Sequence, residues 1–234
     1  MNIAHKQMLV ELKKRQRTGN AYFSNDSYLS SGHHYYDVSV PDRRAIAKAW
    51  LKENQDISNK EFFAVLDSLY KGKSHEEKTL ASILLGYNKR AREAVSTNQL
   101  DKWLNELVGW AEVDALCQSV FTAEELLADW KEWERFLRTL AKSKNVNKRR
   151  ASLVFLTGAV RQSGDARLQK LAFQNIDTLK YEKGILVTKA ISWLLREMIG
   201  RYERAVRKYL KENGETLPKV AVRETQRKLE TGKK

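Results

Sequence analysis

KRRASLVFL, residues 148–156, begins with three cations, passes through one alanine and continues as an apolar run. Four other stretches can be laid beneath it: RRAIAKAWL (43–51), KTLASILLG (78–86), EVDALCQSV (112–120) and VTKAISWLL (187–195). Ala45, Ala81, Ala115, Ala151 and Ala190 then stand in one column, with spacings of 36, 34, 36 and 39 residues. Each interval holds a helix, a turn and a second helix, and a small residue once per interval lets neighbouring helices approach closely. The spacing therefore predicts a solenoid of antiparallel helix pairs.

Punctuation along the chain supports the same reading. Only two prolines occur, Pro41 and Pro218, each suited to the first turn of a helix. Capping boxes at Ser58/Glu61, Ser74/Glu77 and Thr122/Glu125 each precede an apolar periodic segment. No alternating run with a hairpin dipeptide is found. The expectation is an all-α chain of about a dozen helices of about 10 to 19 residues. It forms one HEAT-like domain over residues 1–234, with an N-terminal helical segment at 1–40 and repeats plus a C-terminal helix at 41–230.

Apolar residues make up 42% of 234, enough for a sizeable core. The first 20 residues carry no signal-peptide pattern, and apolar runs such as LVFLTGAV are too short to span a bilayer. A single cysteine, Cys117, excludes a disulfide framework and points to a reducing, cytoplasmic setting. It is read as a buried small hydrophobe. His33 and His34 have no partner at metal-ligand spacing, so no metal site is expected.

Charge is unevenly placed. Residues 1–141 carry 20 basic and 20 acidic side chains, whereas residues 142–234 carry 23 and 9. The whole net charge of +14 thus lies in the C-terminal part, a distribution that suits a polyanion such as nucleic acid. The basic residues are spread over several units rather than gathered on one amphipathic helix, which argues against membrane-surface binding.

The position before each alanine holds Arg44, Leu80, Asp114, Arg150 and Lys189, with Arg223 in the corresponding slot of the last helix. Equivalent positions of a solenoid share a surface, so the expectation is a basic concave groove that fits a phosphate backbone. Trp110, Asp114 and Gln118 share one helical face, as do Lys189, Trp193, Arg196 and Gly200. Asp114 alone is acidic in this column. It reads either as a salt-bridge or helix-dipole residue, or as a carboxylate placed where positive charge develops, as on a sugar losing its base.

Through VPDRRAIAKAWL, WAEVD, NKRRASLVFL, KAISWLLRE and LPKVAVRETQRKL, from about residue 36 to residue 230, the sequence resembles the AlkD-type DNA alkylation repair glycosylases, a family of HEAT-like repeat proteins. The resemblance implies a monofunctional glycosylase of base-excision repair. Such an enzyme releases cationic N3- and N7-alkylated purines, such as 3-methyladenine and 7-methylguanine, from duplex DNA without drawing the base into a pocket. It implies no metal or organic cofactor, double-stranded DNA as the partner, and a monomer as sufficient. WAEVD matches the family's Trp-x-x-x-Asp, making Trp110 a sugar-contacting aromatic and Asp114 the carboxylate that stabilises the cation and orients water. Arg150 matches the arginine near the lesion backbone, and Trp193 a second sugar-contacting tryptophan. Phosphate contact is expected of Arg44, Lys148, Arg149, Lys189, Arg196, Arg223 and Arg227.

The sequence departs from the family in two places. Gly109 stands where some relatives have a second tryptophan, and SSGHHYYDVSV differs from the segment expected before PDRR. Some relatives lack the aspartate and bind DNA without excision; Asp114 with both tryptophans sets this chain apart from them. The rival expectation is a non-catalytic helical-repeat module that binds structured nucleic acid or an acidic protein. A buried, salt-bridged Asp114 with both indoles in the core would favour that rival.

Overall fold

The computed structural model describes residues 1–17, 31–118 and 120–233. Regular structure among them is entirely helical, apart from one isolated bridge between His34 and Ser74. The chain divides into two compact units, Met1–Leu116 and Cys117–Lys234. No helix among the described residues is long and apolar enough to cross a membrane.

The first unit contains α1 (Ile3–Lys14), α2 (Val40–Glu53), α3 (Asn59–Tyr70), α4 (His75–Tyr87), α5 (Lys89–Ala94), α6 (Thr97–Leu104) and, apart from its last residue, α7 (Gly109–Cys117). The expected capping boxes form at Ser58 and Ser74, and Ser39 caps α2 with Pro41 in its first turn. Helices α2 and α3 pack on α4, and α1 packs on both α2 and α3. From His75 to Leu85 every residue of α4 except Ile83 is buried, so this helix is the unit's axis.

The second unit contains α8 (Ala123–Ala128), α9 (Trp130–Ala141), α10 (Val146–Gln162), α11 (Ala166–Leu179), α12 (Ile185–Asn213) and α13 (Lys219–Thr231). The Thr122 capping box starts α8, as expected. Helix α10 is buried from Asn147 to Val160 except at Arg149, and α8, α9, α11 and α12 pack around it. Gly158 permits a further close approach, by the backbone between α7 and α8, since a Cβ there would lie 2.9 Å from the Gln118 carbonyl oxygen.

Two expectations need correction. Helix lengths run from six residues in α5 and α8 to 29 in α12, outside the expected range at both ends, and α12 does not break at Gly200. The backbone of α12 instead breaks at Tyr202 (φ −131°, ψ 32°), whose hydroxyl donates toward the Ser163 and Asp165 carbonyls at 2.6 and 3.0 Å. The alanine column also slips. Ala81, Ala151 and Ala190 are fully buried between helices, but Ala45 is exposed. In α2 the buried face is Arg43, Ile46, Ala47 and Trp50, at i, i+3, i+4 and i+7, and Ala45 falls outside it.

Candidate functional site

Helix α7 carries the acidic member of the column. It opens at Gly109, whose φ of +78° is readily adopted only without a Cβ, so the tryptophan found here in some relatives would be strained. The Val108 N–H donates to Glu112 Oε2 at 2.9 Å and closes the first turn. Val113 and Leu116 are fully buried in the first unit. Trp110 and Asp114 lie one turn apart on a different face, and both are half-buried. Neither is sunk in the core.

Glu112, between them in sequence, is 1% exposed. Its Oε1 accepts from His33 Nδ1 at 2.8 Å and stands 3.5 Å from His75 Nδ1, too long for a well-formed bond. Burial pushes this carboxyl up, but the approach of His33 and His75 and the Val108 amide outweigh burial and hold it below the usual range. Sequence spacing could not reveal the cluster, because His33 and Glu112 are 79 residues apart. His33 thus gains a hydrogen-bond partner through tertiary contact.

In the second unit, Arg150 is 5% exposed and Lys148 8%, so the cationic start of α10 lies mostly beneath the surface. The Arg150 guanidinium donates to the Leu186 carbonyl at 2.6 Å. Half-buried Arg149 pairs with Glu182 and donates to the Ser143 and Lys144 carbonyls, each at 2.9 Å. On α12, Trp193 is half-buried and its indole N–H donates to Glu197 at 3.0 Å.

Lys189 and Arg196 meet at one carboxylate, contributed by α13 and not signalled by any spacing in the sequence. Glu224 Oε1 lies 2.8 Å from Lys189 Nζ, while Oε2 accepts from Ser192 Oγ at 2.6 Å and lies 3.5 Å from Arg196. Burial pushes Glu224 up, and these partners outweigh it, leaving the carboxyl lowered. Arg223 and Arg227 are exposed and line an open recess with Lys219, Val222 and Gln226. Arg44 is exposed on α2, whereas Leu80, aligned with it in the column, is wholly buried in α4. The column therefore does not run along one solvent-facing surface.

A family model described as "DNA alkylation repair enzyme" matches residues 9–229. The fold is similar to that of a predicted DNA alkylation repair enzyme from Enterococcus faecalis, at 19% identity, with a TM-score of 0.72 over 92% of this chain and 98% of the other. It is also similar to AlkD2 from Streptococcus mutans, at 16% identity, with a TM-score of 0.60 over 88% and 89%. No curated protein sequence matches the chain.

Proposed function

Because the chain belongs to the DNA alkylation repair enzyme family, we propose that it is an AlkD-type monofunctional glycosylase releasing cationic N3- and N7-alkylpurines from duplex DNA. The observation that carries this reading is the pairing of Trp110 and Asp114, one turn apart on α7 and both at partial exposure. An alkylated purine already bears positive charge, so its N-glycosidic bond breaks with the electron pair moving onto the base. Positive charge then develops on the sugar. A carboxylate held beside it stabilises that charge without metal or cofactor, and an electron-rich indole face adds to the attraction.

Asp114 also accepts a hydrogen bond from the attacking water, whose oxygen bonds to the sugar carbon as its proton passes to the carboxylate or solvent. The products are the free base and an abasic site. Nothing in this chemistry requires the base to enter a pocket, since protein contacts fall on sugar and backbone. Trp193 is assigned to sugar contact and Arg150 to the phosphate beside the lesion. Lys148, Arg149, Lys189, Arg196, Arg223, Arg227 and Arg44 are assigned to the backbone, where the surplus of cations after residue 141 favours duplex binding.

The test is release of 7-methylguanine from a defined methylated duplex under single-turnover conditions. Wild type is expected to release the base, and Asp114→Asn to bind the duplex but excise about 100- to 1000-fold more slowly. Well-folded wild type that binds the duplex yet releases neither 7-methylguanine nor 3-methyladenine would overturn the reading in favour of a non-catalytic binding module.

A further inference from the structure

We propose that Glu112, held by His33 and faced by His75, is a positioning residue that sets helix α7 and thereby aims Trp110 and Asp114. The inference rests on the excision reading for its functional meaning but on geometry alone for its structural content. Helix α7 has nine residues. Helices of that length do not hold themselves in water, so its orientation comes from what it touches. Val113 and Leu116 supply apolar contact, which is nondirectional and tolerates small rotations. Glu112 supplies direction. One oxygen takes the Val108 amide and closes the turn after Gly109; the other takes His33 at 2.8 Å and faces His75 at 3.5 Å.

The backbone next to His33 is tied to the start of α4 through His34. His34 N–H donates to the Lys73 carbonyl at 3.1 Å, and His75 N–H returns to the His34 carbonyl at 2.9 Å. The Tyr35 ring lies 5.3 Å from that of His75, and the capping box at Ser74 anchors the start of α4. The clamp thus refers α7 to the buried axis of the first unit. Glu112 is two residues from both Trp110 and Asp114, about 160 to 200° around the helix from them, so a rotation at one side displaces the other. A carboxylate this deeply buried is costly to desolvate, and an apolar residue of similar size would serve stability as well or better. An ionic group here is therefore better explained by placement than by stability.

The test compares Glu112→Gln with wild type in two ways. The DNA-free proteins are labelled with 5-fluorotryptophan and their fluorine resonances recorded, the Trp110 line being identified with Trp110→Phe. Glu112→Gln is expected to shift or broaden the Trp110 line while the other five tryptophan lines hold. Single-turnover excision falls about 10- to 100-fold with duplex affinity unchanged. His33→Ala gives the same two effects, and His33→Asn, whose amide nitrogen can stand in for Nδ1, restores both. If Glu112→Gln does not fold, the His33 pair carries the comparison. An unmoved Trp110 line, or His33→Asn as impaired as His33→Ala, overturns the proposal. Wild type inactive on alkylated duplex overturns the excision reading, while the fluorine line still decides whether Glu112 sets α7.

Discussion

The ammonium of Lys189 on α12 lies 2.8 Å from the carboxylate of Glu224 on α13, an acid that also holds Ser192 and approaches Arg196. Two cations assigned to DNA are thus partly neutralised within the protein. Glu224→Gln keeps an acceptor for Ser192 while removing the charge. It is expected to tighten binding to unmodified duplex and to steepen the dependence of log affinity on log salt by up to about 0.9 for each cation released. Anisotropy titrations across a salt series check this, and an unchanged slope would show that neither cation becomes available to phosphate.

Backbone constraint at the start of α7 sets a second expectation. Gly109 occupies φ +78°, where any side chain is strained. Gly109→Ala should therefore lower stability by about 1 to 3 kcal/mol, read from urea unfolding, and Gly109→Trp should cost at least as much. A variant as stable as wild type would mean that the turn relaxes without loss.

The slipped alanine column yields a paired comparison. Ala190 is fully buried on α12, which packs on α10, α11 and α13, so Ala190→Leu overfills the core there and should cost about 1 to 3 kcal/mol. Ala45 is exposed, and Ala45→Leu should change stability by less than about 0.5 kcal/mol. Equal losses at both sites would return Ala45 to the packing column, which the structure breaks at α2 and, with Ala115 only half-buried, at α7.

Buried carboxylates govern the response to acid. Burial pushes Glu77 up, but His5, at 2.7 Å, and the Ser74 hydroxyl and amide outweigh it, so its carboxyl is lowered. A carboxyl lowered by folding adds stability that is fully present above its unfolded pKa and lost as pH falls through its folded value. Wild-type urea midpoints should thus decline below about pH 4.3, the ordinary glutamate pKa, and the gap between wild type and Glu77→Gln should narrow over the same interval. A gap that is constant down to pH 3 would contradict the linkage.

Legibility in the sequence followed the range of each interaction. The capping boxes at Ser58, Ser74 and Thr122 were readable because both partners lie within four residues, so their spacing carries the geometry. The face shared by Trp110 and Asp114 was readable for the same reason: helical periodicity places i and i+4 together whatever surrounds them. Burial was less legible where charge was involved. Composition suggests solvent for KRR at 148–150, yet Lys148 and Arg150 are mostly buried, because α10 is surrounded by other helices and the Leu186 carbonyl compensates the Arg150 guanidinium.

By itself the sequence determined the all-helical class, the starts of α2, α3, α4 and α8, the basic bias of the C-terminal part and the Trp-x-x-x-Asp on α7. These depend on local periodicity, local capping and composition. Only the tertiary structure decided which alanines pack, that Leu80 leaves the polar column for the core, that Glu224 restrains Lys189 and Arg196, and that His33 and His75 close on Glu112. The carboxylate contacts join residues roughly 30 to 80 positions apart, and no spacing rule reaches so far: such partners, like the burial of Leu80 and the alanines, are chosen by helix packing, which depends on the summed shape of many side chains rather than on any one motif.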